Sequence, residues 1–180
     1  MKQPLEKRVL DISSMLFQCD RKIVFAESCT GGLMSAVMAT VPGISRVHCG
    51  SAVVYRLETK TEWLGVSASL LIDPGPVSEP VARAMVEGVL KCTPEADIAV
   101  AITGHLGPDA PDGQDGLIFV GTGVRGKSCR IAEHRLPDFK NESDRFQFPG
   151  ESVREQRQWA AADFALSQLE ATLRAIIPVY

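Results

Sequence analysis

A serine, a threonine and two glycines follow a short apolar segment near the amino terminus, at positions Ser28, Thr30, Gly31 and Gly32. If a helix begins here, its first turn has unpartnered N–H groups and a positive dipole end, so it favours an anion. The glycine pair lets a ligand approach the backbone closely. A phosphate-binding loop, an oxyanion hole for acyl transfer and a plain helix cap all have this composition, and these residues alone leave the three open.

Other residues with reactive or metal-binding side chains are less suggestive. Cys29 is a rival nucleophile, but a free cysteine beside an apolar strand is typically buried and inert. The three histidines and the five cysteines lack the spacing of metal ligands. The aspartates within residues 109–115 lie among prolines and glycines, which indicates a turn-rich surface loop. We therefore expect no metal site.

The elements around Ser28 must position it. The β-prone run at residues 22–26 and the apolar residues 31–38 predict a strand, a tight turn and a buried helix. A second apolar run at residues 98–102 does not alternate, which is typical of a central strand covered on both faces, and it ends at Thr103 and Gly104. Open α/β sheets bind ligands at such strand ends, so both loops are candidate ligand-binding segments.

The remaining patterns predict the rest of an α/β fold. Leu5, Val9, Ile12 and Leu16 form one stripe of an amphipathic amino-terminal helix. A strand is predicted to end near Tyr55, and a helix to begin after Ser78 as its cap. Antiparallel strands are expected at residues 117–120 and 128–132, and a long helix over residues 159–176. Helices before, between and after the strands predict a three-layer α/β/α sandwich around a mixed β-sheet.

Composition limits the classes of function. The chain has 180 residues, of which 45% are hydrophobic and 23% charged, so we expect one domain over residues 1–180. The net charge of -3 includes no basic excess for a phosphate backbone, so a nucleic-acid partner is not expected. The first eight residues do not have the apolar core of a signal peptide, and no later apolar run approaches about 20 residues. We therefore expect a cytoplasmic protein without a membrane partner.

Four segments, in order, resemble the CinA C-terminal domain family in its stand-alone form. They are the stretch from Ala26 to Gly32, a segment with Tyr55 and Lys60, residues 75–83, and residues 96–109. The resemblance implies the three-layer fold and a homodimer. In active members it implies nicotinamide-nucleotide amidase activity, in which nicotinamide mononucleotide yields nicotinate mononucleotide and ammonia without a cofactor, as a step in pyridine nucleotide recycling.

The resemblance also implies roles for individual residues. Ser28 is the expected nucleophile, Lys60 the base and Tyr55 a polar partner, while Thr103 and Gly104 line the pocket. A serine hydroxyl needs a base within hydrogen-bond reach, and a lysine can serve if burial lowers its pKa from about 10.4. The substrate phosphate is expected to bind the backbone of Thr30, Gly31 and Gly32 together with an arginine. Arg154 is preferred for this contact, with Arg157 as the alternative.

Three departures from the family pattern bear on the substrate. Leu57 stands where the family usually has asparagine, His105 and Leu106 replace a small apolar pair, and a Lys-Pro pair is missing before Leu117. A lost polar group can leave part of a substrate unpaired and so change specificity. A divergent amidase acting on another amide, and a non-catalytic relative that binds a nucleotide or a partner, therefore remain as alternatives.

Overall fold

A five-stranded sheet forms the middle layer of the computed structural model, which describes residues 4–139 and 148–177. Its strands are β1 (Ile23–Glu27), β2 (His48–Val53), β3 (Ile98–Gly104), β4 (Leu117–Val124) and β5 (Arg130–Arg135), in the spatial order β2-β1-β3-β4-β5. Strand β1 runs parallel to both β2 and β3, whereas β4 is antiparallel to β3 and β5. The predicted mixed sheet is confirmed.

Helices cover both faces of this sheet. They are α1 (Pro4–Cys19), α2 (Leu33–Met38), α3 (Leu57–Leu64), α4 (Ala68–Ile72), α5 (Glu79–Cys92) and α6 (Val153–Ile176), with a short 3-10 turn at Ile44–Arg46. Helices α1, α2 and α6 pack on one face, and α3, α4 and α5 contribute to the core on the other. This arrangement confirms the predicted three-layer α/β/α sandwich.

The apolar patterns explain which side of each element is buried. Leu5, Val9, Ile12 and Leu16 of α1 are all buried, as their helical spacing predicts. Strand β3 is buried on both faces because alternate side chains enter opposite cores: Val100 lies in the core under α1 and α6, and Ala101 in the core under α5. The central position predicted for this strand is confirmed.

Some boundaries and caps differ from the sequence prediction. Strand β2 ends at Val53, before Tyr55, and only Met34 and Met38 of α2 are buried, because this short helix covers the sheet with one side. Ser78 precedes α5, but its hydroxyl donates to the Gly75 carbonyl instead of capping the helix.

Strand β4 continues through two glycines that the sequence placed in a link between strands. A Cβ atom at Gly121 or Gly123 would come within 2.7 or 2.5 Å of a Val86 methyl group. The glycines therefore let α5 approach this part of the sheet closely.

The candidate site lies at one edge of the sheet. Strands β1 and β3 are parallel neighbours, with Glu27 opposite Ile102, so their carboxyl ends meet there. The connection from β2 to α3 emerges at the same edge, since β2 is the other parallel neighbour of β1. This edge is where open α/β sheets place ligands.

Candidate active site

Ser28 is the first residue after β1. Its amide N–H donates to the Ile102 carbonyl at 3.1 Å, which continues the pairing of β1 with β3, and the residue is only 8% exposed. Gly31 and Gly32 have φ angles of 63° and 100°, a region that favours glycine. They allow the chain to turn sharply from the strand into α2, so Ser28 is held at the sheet edge.

Lys60 meets Ser28 although 32 positions separate them. It lies in α3, and its side chain reaches back under the end of β1. The Nζ atom donates to Ser28 Oγ at 2.8 Å and to the Val54 carbonyl at 2.7 Å, and the residue is 2% exposed. The two residues therefore have the distance and burial that a serine–lysine pair requires.

Burial also changes the proton affinity of the lysine. The pKa of Lys60 is lowered from 10.5 to about 8 because desolvation disfavours the charged ammonium group. When neutral, the amine can donate one hydrogen to the Val54 carbonyl while its lone pair faces the Ser28 hydroxyl. This geometry suits proton transfer from serine to lysine.

Cys29 does not compete chemically with Ser28. It is buried, and desolvation raises the pKa of its thiol from 9.0 to about 12. The thiol therefore stays protonated at neutral pH, and a protonated thiol is a poor nucleophile.

The donors that lead into α2 bind the side chain of Glu27, a residue that the sequence interpretation did not include. Glu27, at the end of β1, is fully buried, and its carboxylate accepts hydrogen bonds from the Thr30 hydroxyl and the Gly32 amide. The Gly31 amide donates to the Ser28 carbonyl. The predicted phosphate contact is corrected for Gly31 and Gly32, because their amides are bonded within the protein, whereas the contact predicted for the Thr30 backbone amide stays a prediction.

A pocket of about 450 Å³ opens in front of Ser28 and Lys60. Its walls come from the turn after β1, the connection from β2 into α3, residues 76–77, residues 103–110 and the first turn of α6. Of the residues predicted for the site, those that line it are Ser28, Tyr55, Lys60, Thr103, Gly104 and Arg154. Thr30, Gly31 and Gly32 do not line it.

Tyr55 and Arg154 form one wall of the pocket together. The Arg154 guanidinium donates to the Tyr55 hydroxyl at 2.7 Å and also to the Gly107 carbonyl. Tyr55 is 56% exposed, and within the described residues its hydroxyl contacts Arg154 and neither Ser28 nor Lys60. The predicted network of Tyr55 with the serine and the lysine is therefore corrected to a pairing with Arg154.

Arg157 lies close to Arg154 in the sequence, but its contacts connect segments of the fold and do not face the pocket. Its guanidinium is buried, makes a bidentate ion pair with Asp115 at 2.7 and 2.8 Å, and donates to the Pro137 carbonyl at 2.9 Å. Only Arg154 of the two lines the pocket with Ser28. Between the two arginines, the geometry favours Arg154 for a ligand.

The far wall of the pocket contains the end of β3. Thr103 is buried and donates to the Pro76 carbonyl at 2.8 Å, and a Cβ atom at Gly104 would lie 2.5 Å from a methyl of Ile118. His105 follows, and burial lowers the pKa of its imidazole below 6.5. His105 and Leu57, two departures from the family pattern, thus both line the pocket.

Sequence reasoning missed two contributors to this site, Glu27 and Gly107. A signal for Glu27 was present, because an acidic residue directly before a strand-to-helix turn can accept the free N–H groups of that turn. No local signal marks Gly107, whose carbonyl meets Arg154 from a distant segment.

Residues 4–139 and 148–177 contain neither a candidate metal centre nor a candidate membrane span. No group of three or more His, Cys, Asp or Glu side chains there is placed to hold a metal ion. None of the helices in these ranges has both the length and the apolar character needed to cross a bilayer.

Similarity to known proteins agrees with this fold. A family model described as the CinA C-terminal domain matches residues 5–173. A CinA-like protein of Gemmatimonas aurantiaca is 42% identical over 128 residues, covering 68% of this chain and 29% of that protein. A CinA-like protein of Akkermansia muciniphila is 42% identical over 128 residues, covering 70% and 30%. The matched part of this chain thus spans under a third of either curated relative.

Solved structures match over almost the whole chain. The competence/damage inducible protein CihA from Agrobacterium tumefaciens has a TM-score of 0.83 and 28% identity, covering 97% of this chain and 98% of that one. The competence damage-inducible protein A from Klebsiella pneumoniae has a TM-score of 0.84 with 22% identity, covering 98% and 100%, which is evidence for the fold alone. With the family model matching residues 5–173, the chain belongs to the CinA C-terminal domain family.

Proposed function

We propose that this protein is an amidohydrolase in which Ser28 is the nucleophile and Lys60 the general base, and that it deamidates nicotinamide mononucleotide to nicotinate mononucleotide and ammonia. The observation that carries the proposal is the 2.8 Å contact between Lys60 Nζ and Ser28 Oγ, with the lysine 2% exposed. Family membership supports the substrate, and the geometry supports the type of reaction.

The reaction begins with proton transfer. Neutral Lys60 takes the proton of Ser28 as Oγ attacks the carboxamide carbon, and a tetrahedral intermediate forms. Protonated Lys60 then gives this proton to the amide nitrogen, which leaves as ammonia, and an acyl ester remains on Ser28. A water molecule next attacks the ester carbon and gives a proton to Lys60. That proton returns to Ser28 Oγ as the product leaves as a carboxylic acid, which loses its remaining proton to solvent and becomes the carboxylate.

The backbone after Ser28 supplies a candidate donor for the intermediate. Within the described residues, the amide N–H of Cys29, which lines the pocket, donates to no other residue, whereas those of Gly31 and Gly32 are bonded to Ser28 and Glu27. An oxyanion hole commonly uses the N–H that follows the nucleophile. Each such donor stabilises the transition state by about 3 to 4 kcal/mol.

Arg154 is the candidate ligand for the substrate phosphate. It is the arginine that lines the pocket, and its bonds to the Tyr55 hydroxyl and the Gly107 carbonyl hold the guanidinium at the pocket wall. Guanidinium groups bind phosphate oxygens in a bidentate manner. Asp109 also lines the pocket, so its carboxylate can accompany the positively charged pyridinium ring of this substrate.

A second candidate is an amidase that acts on a different amide. The observation that favours it is that Leu57 and His105 both line the pocket. An apolar side chain at position 57 offers no hydrogen bond to a ribose hydroxyl, and this loss can shift specificity by one to two orders of magnitude, about 1 to 3 kcal/mol.

Ammonia release distinguishes these possibilities. Purified protein is incubated with nicotinamide mononucleotide, and ammonia and nicotinate mononucleotide are measured together. We expect stoichiometric formation of both, and its loss in folded Ser28→Ala and Lys60→Met variants. The exposed Ser69→Ala and Lys91→Met variants are matched controls that retain activity. A wild type that releases no ammonia from this substrate contradicts the proposed reaction, and release from another amide supports the second candidate.

A further inference from the structure

Glu27 is a fully buried carboxylate at the end of β1, directly before Ser28. Burying a carboxylate is costly unless hydrogen bonds replace its water. Here five donors do so: the hydroxyls of Thr30 and Ser51 and the amides of Gly32, Met34 and Ser35, at 2.8 to 3.1 Å. Within the described residues no lysine or arginine forms an ion pair with it.

These donors connect the two segments that carry the reactive pair. Four belong to residues 30–35, which follow Ser28, and the fifth, Ser51, belongs to β2, which leads to Lys60. The backbone adds a second connection: the Glu27 carbonyl accepts from the Val54 amide at 2.8 Å, and the Val54 carbonyl accepts from Lys60 Nζ at 2.7 Å.

We propose that Glu27 is a positioning residue of this active site, whose carboxylate ties the turn after Ser28 to the strand before Lys60 and so holds the two side chains in contact. This inference rests on the proposed function for its reaction but concerns a different residue and a different task. Glu27 does not line the pocket and acts through Ser28.

Only a carboxylate meets the demands of this position. Oε2 accepts from Thr30, Gly32 and Met34, and Oε1 accepts from Ser35 and Ser51. In a glutamine of the same shape, an NH₂ group replaces one of these oxygens. That group faces at least one backbone N–H, which cannot reverse its role as a donor. The turn must therefore shift in a Glu27→Gln variant.

The expected consequence is slower chemistry with nearly unchanged binding. A misplacement of about 1 Å between reacting groups can lower a rate by roughly 10²-fold. Arg154, the candidate phosphate ligand, is bonded to Tyr55 and Gly107 and does not depend on Glu27. We therefore expect Glu27→Gln to lower kcat about 10²-fold, with KM within about threefold of wild type.

The test combines steady-state kinetics with a reagent that needs no natural substrate. An uncharged alkyl fluorophosphonate reacts with an activated serine: a bond forms between Ser28 Oγ and phosphorus, fluoride leaves with the P–F electron pair, and Lys60 takes the hydroxyl proton. Labelling rates are compared in wild type, Glu27→Gln, Thr30→Val and Ser28→Ala. Glu95→Gln, a substitution of an exposed carboxylate, is the matched control.

We expect Ser28 labelling and kcat to fall together in Glu27→Gln, to fall less in Thr30→Val, which removes one donor, and to stay unchanged in Glu95→Gln. The inference is overturned if folded Glu27→Gln is labelled at the wild-type rate and has the wild-type kcat. It is also overturned if the variant changes mainly KM and leaves kcat nearly unchanged. If Glu27→Gln does not fold, Thr30→Val decides in the same way. Labelling without ammonia release in wild type contradicts only the proposed substrate. Absence of both in wild type overturns the positioning role as well.

Discussion

Lys60 must be neutral to accept the proton of Ser28, so turnover is expected to follow its deprotonated fraction. Burial lowers the pKa of Lys60 from 10.5 to about 8. At pH 7 roughly one lysine in ten is then neutral, whereas roughly one in 3000 is neutral at the ordinary pKa. Burial thus raises the population of active enzyme at pH 7 by about 300-fold.

The direction of the pH dependence follows from this pKa. Below about pH 8, kcat/KM rises close to tenfold for each pH unit, and it levels off above. Two other groups of the pocket and the substrate phosphate have pKa values well away from pH 8. The pKa of His105 is lowered from 6.5 by burial, and that of Cys29 is raised to about 12. The substrate phosphate titrates near about pH 6.

The measurement is kcat/KM for ammonia release from nicotinamide mononucleotide between about pH 6 and pH 10. Lys60→Arg is the informative variant, because a guanidinium remains protonated throughout this range and cannot act as a base. We expect a midpoint near pH 8 in wild type and no alkaline rise in Lys60→Arg. A flat wild-type profile from pH 7 to pH 9, or a midpoint above pH 10, would refute the assignment of Lys60 as a buried base.

Three further predictions concern single side chains. The pKa of Lys60 is lower in the folded than in the unfolded state, so burying its ammonium group costs free energy of folding. This cost is complete below about pH 8 and disappears above about pH 10.5. Urea unfolding should therefore show Lys60→Met to be more stable than wild type by up to about 3 kcal/mol at pH 7. This difference in the free energy of unfolding should narrow between about pH 8 and pH 10.5, and a difference independent of pH contradicts the linkage. Cys29→Ala should retain kcat within a few-fold in the ammonia assay, since its thiol has a pKa of about 12, and an inactive but folded variant would return Cys29 to consideration as the nucleophile. Arg154→Ala should raise KM by about tenfold or more with little change in stability. Arg157→Ala should lower the free energy of unfolding by about 2 to 3 kcal/mol, because it removes a buried guanidinium that pairs with Asp115 and donates to the Pro137 carbonyl. Equal effects of the two substitutions on KM would refute this division of roles.

Most elements of the fold could be predicted from local patterns in the sequence. Leu5, Val9, Ile12 and Leu16 recur at helical intervals, and residues 98–102 are apolar without alternation, so each pattern specifies both an element and its buried side. These features depend on neighbouring residues, and they can therefore be recognised locally. Strand β4 was predicted too short because its glycines resemble a turn until α5 is packed against them.

The sequence also named Ser28 and Lys60, since the motifs that contain them resemble those of one family. The partners of the other polar groups became apparent only once distant segments were folded together. Thr30 and Gly32 meet a buried carboxylate, and Tyr55 meets Arg154 from a helix 99 positions away.

Arg154 and Arg157 look alike in the sequence, yet Asp115 and the Pro137 carbonyl hold one of them in the fold, and the pocket contains the other. A buried donor or acceptor pairs with the nearest suitable group in space. For these residues that group comes from a distant segment, so spacing along the chain could name the candidates but not their partners.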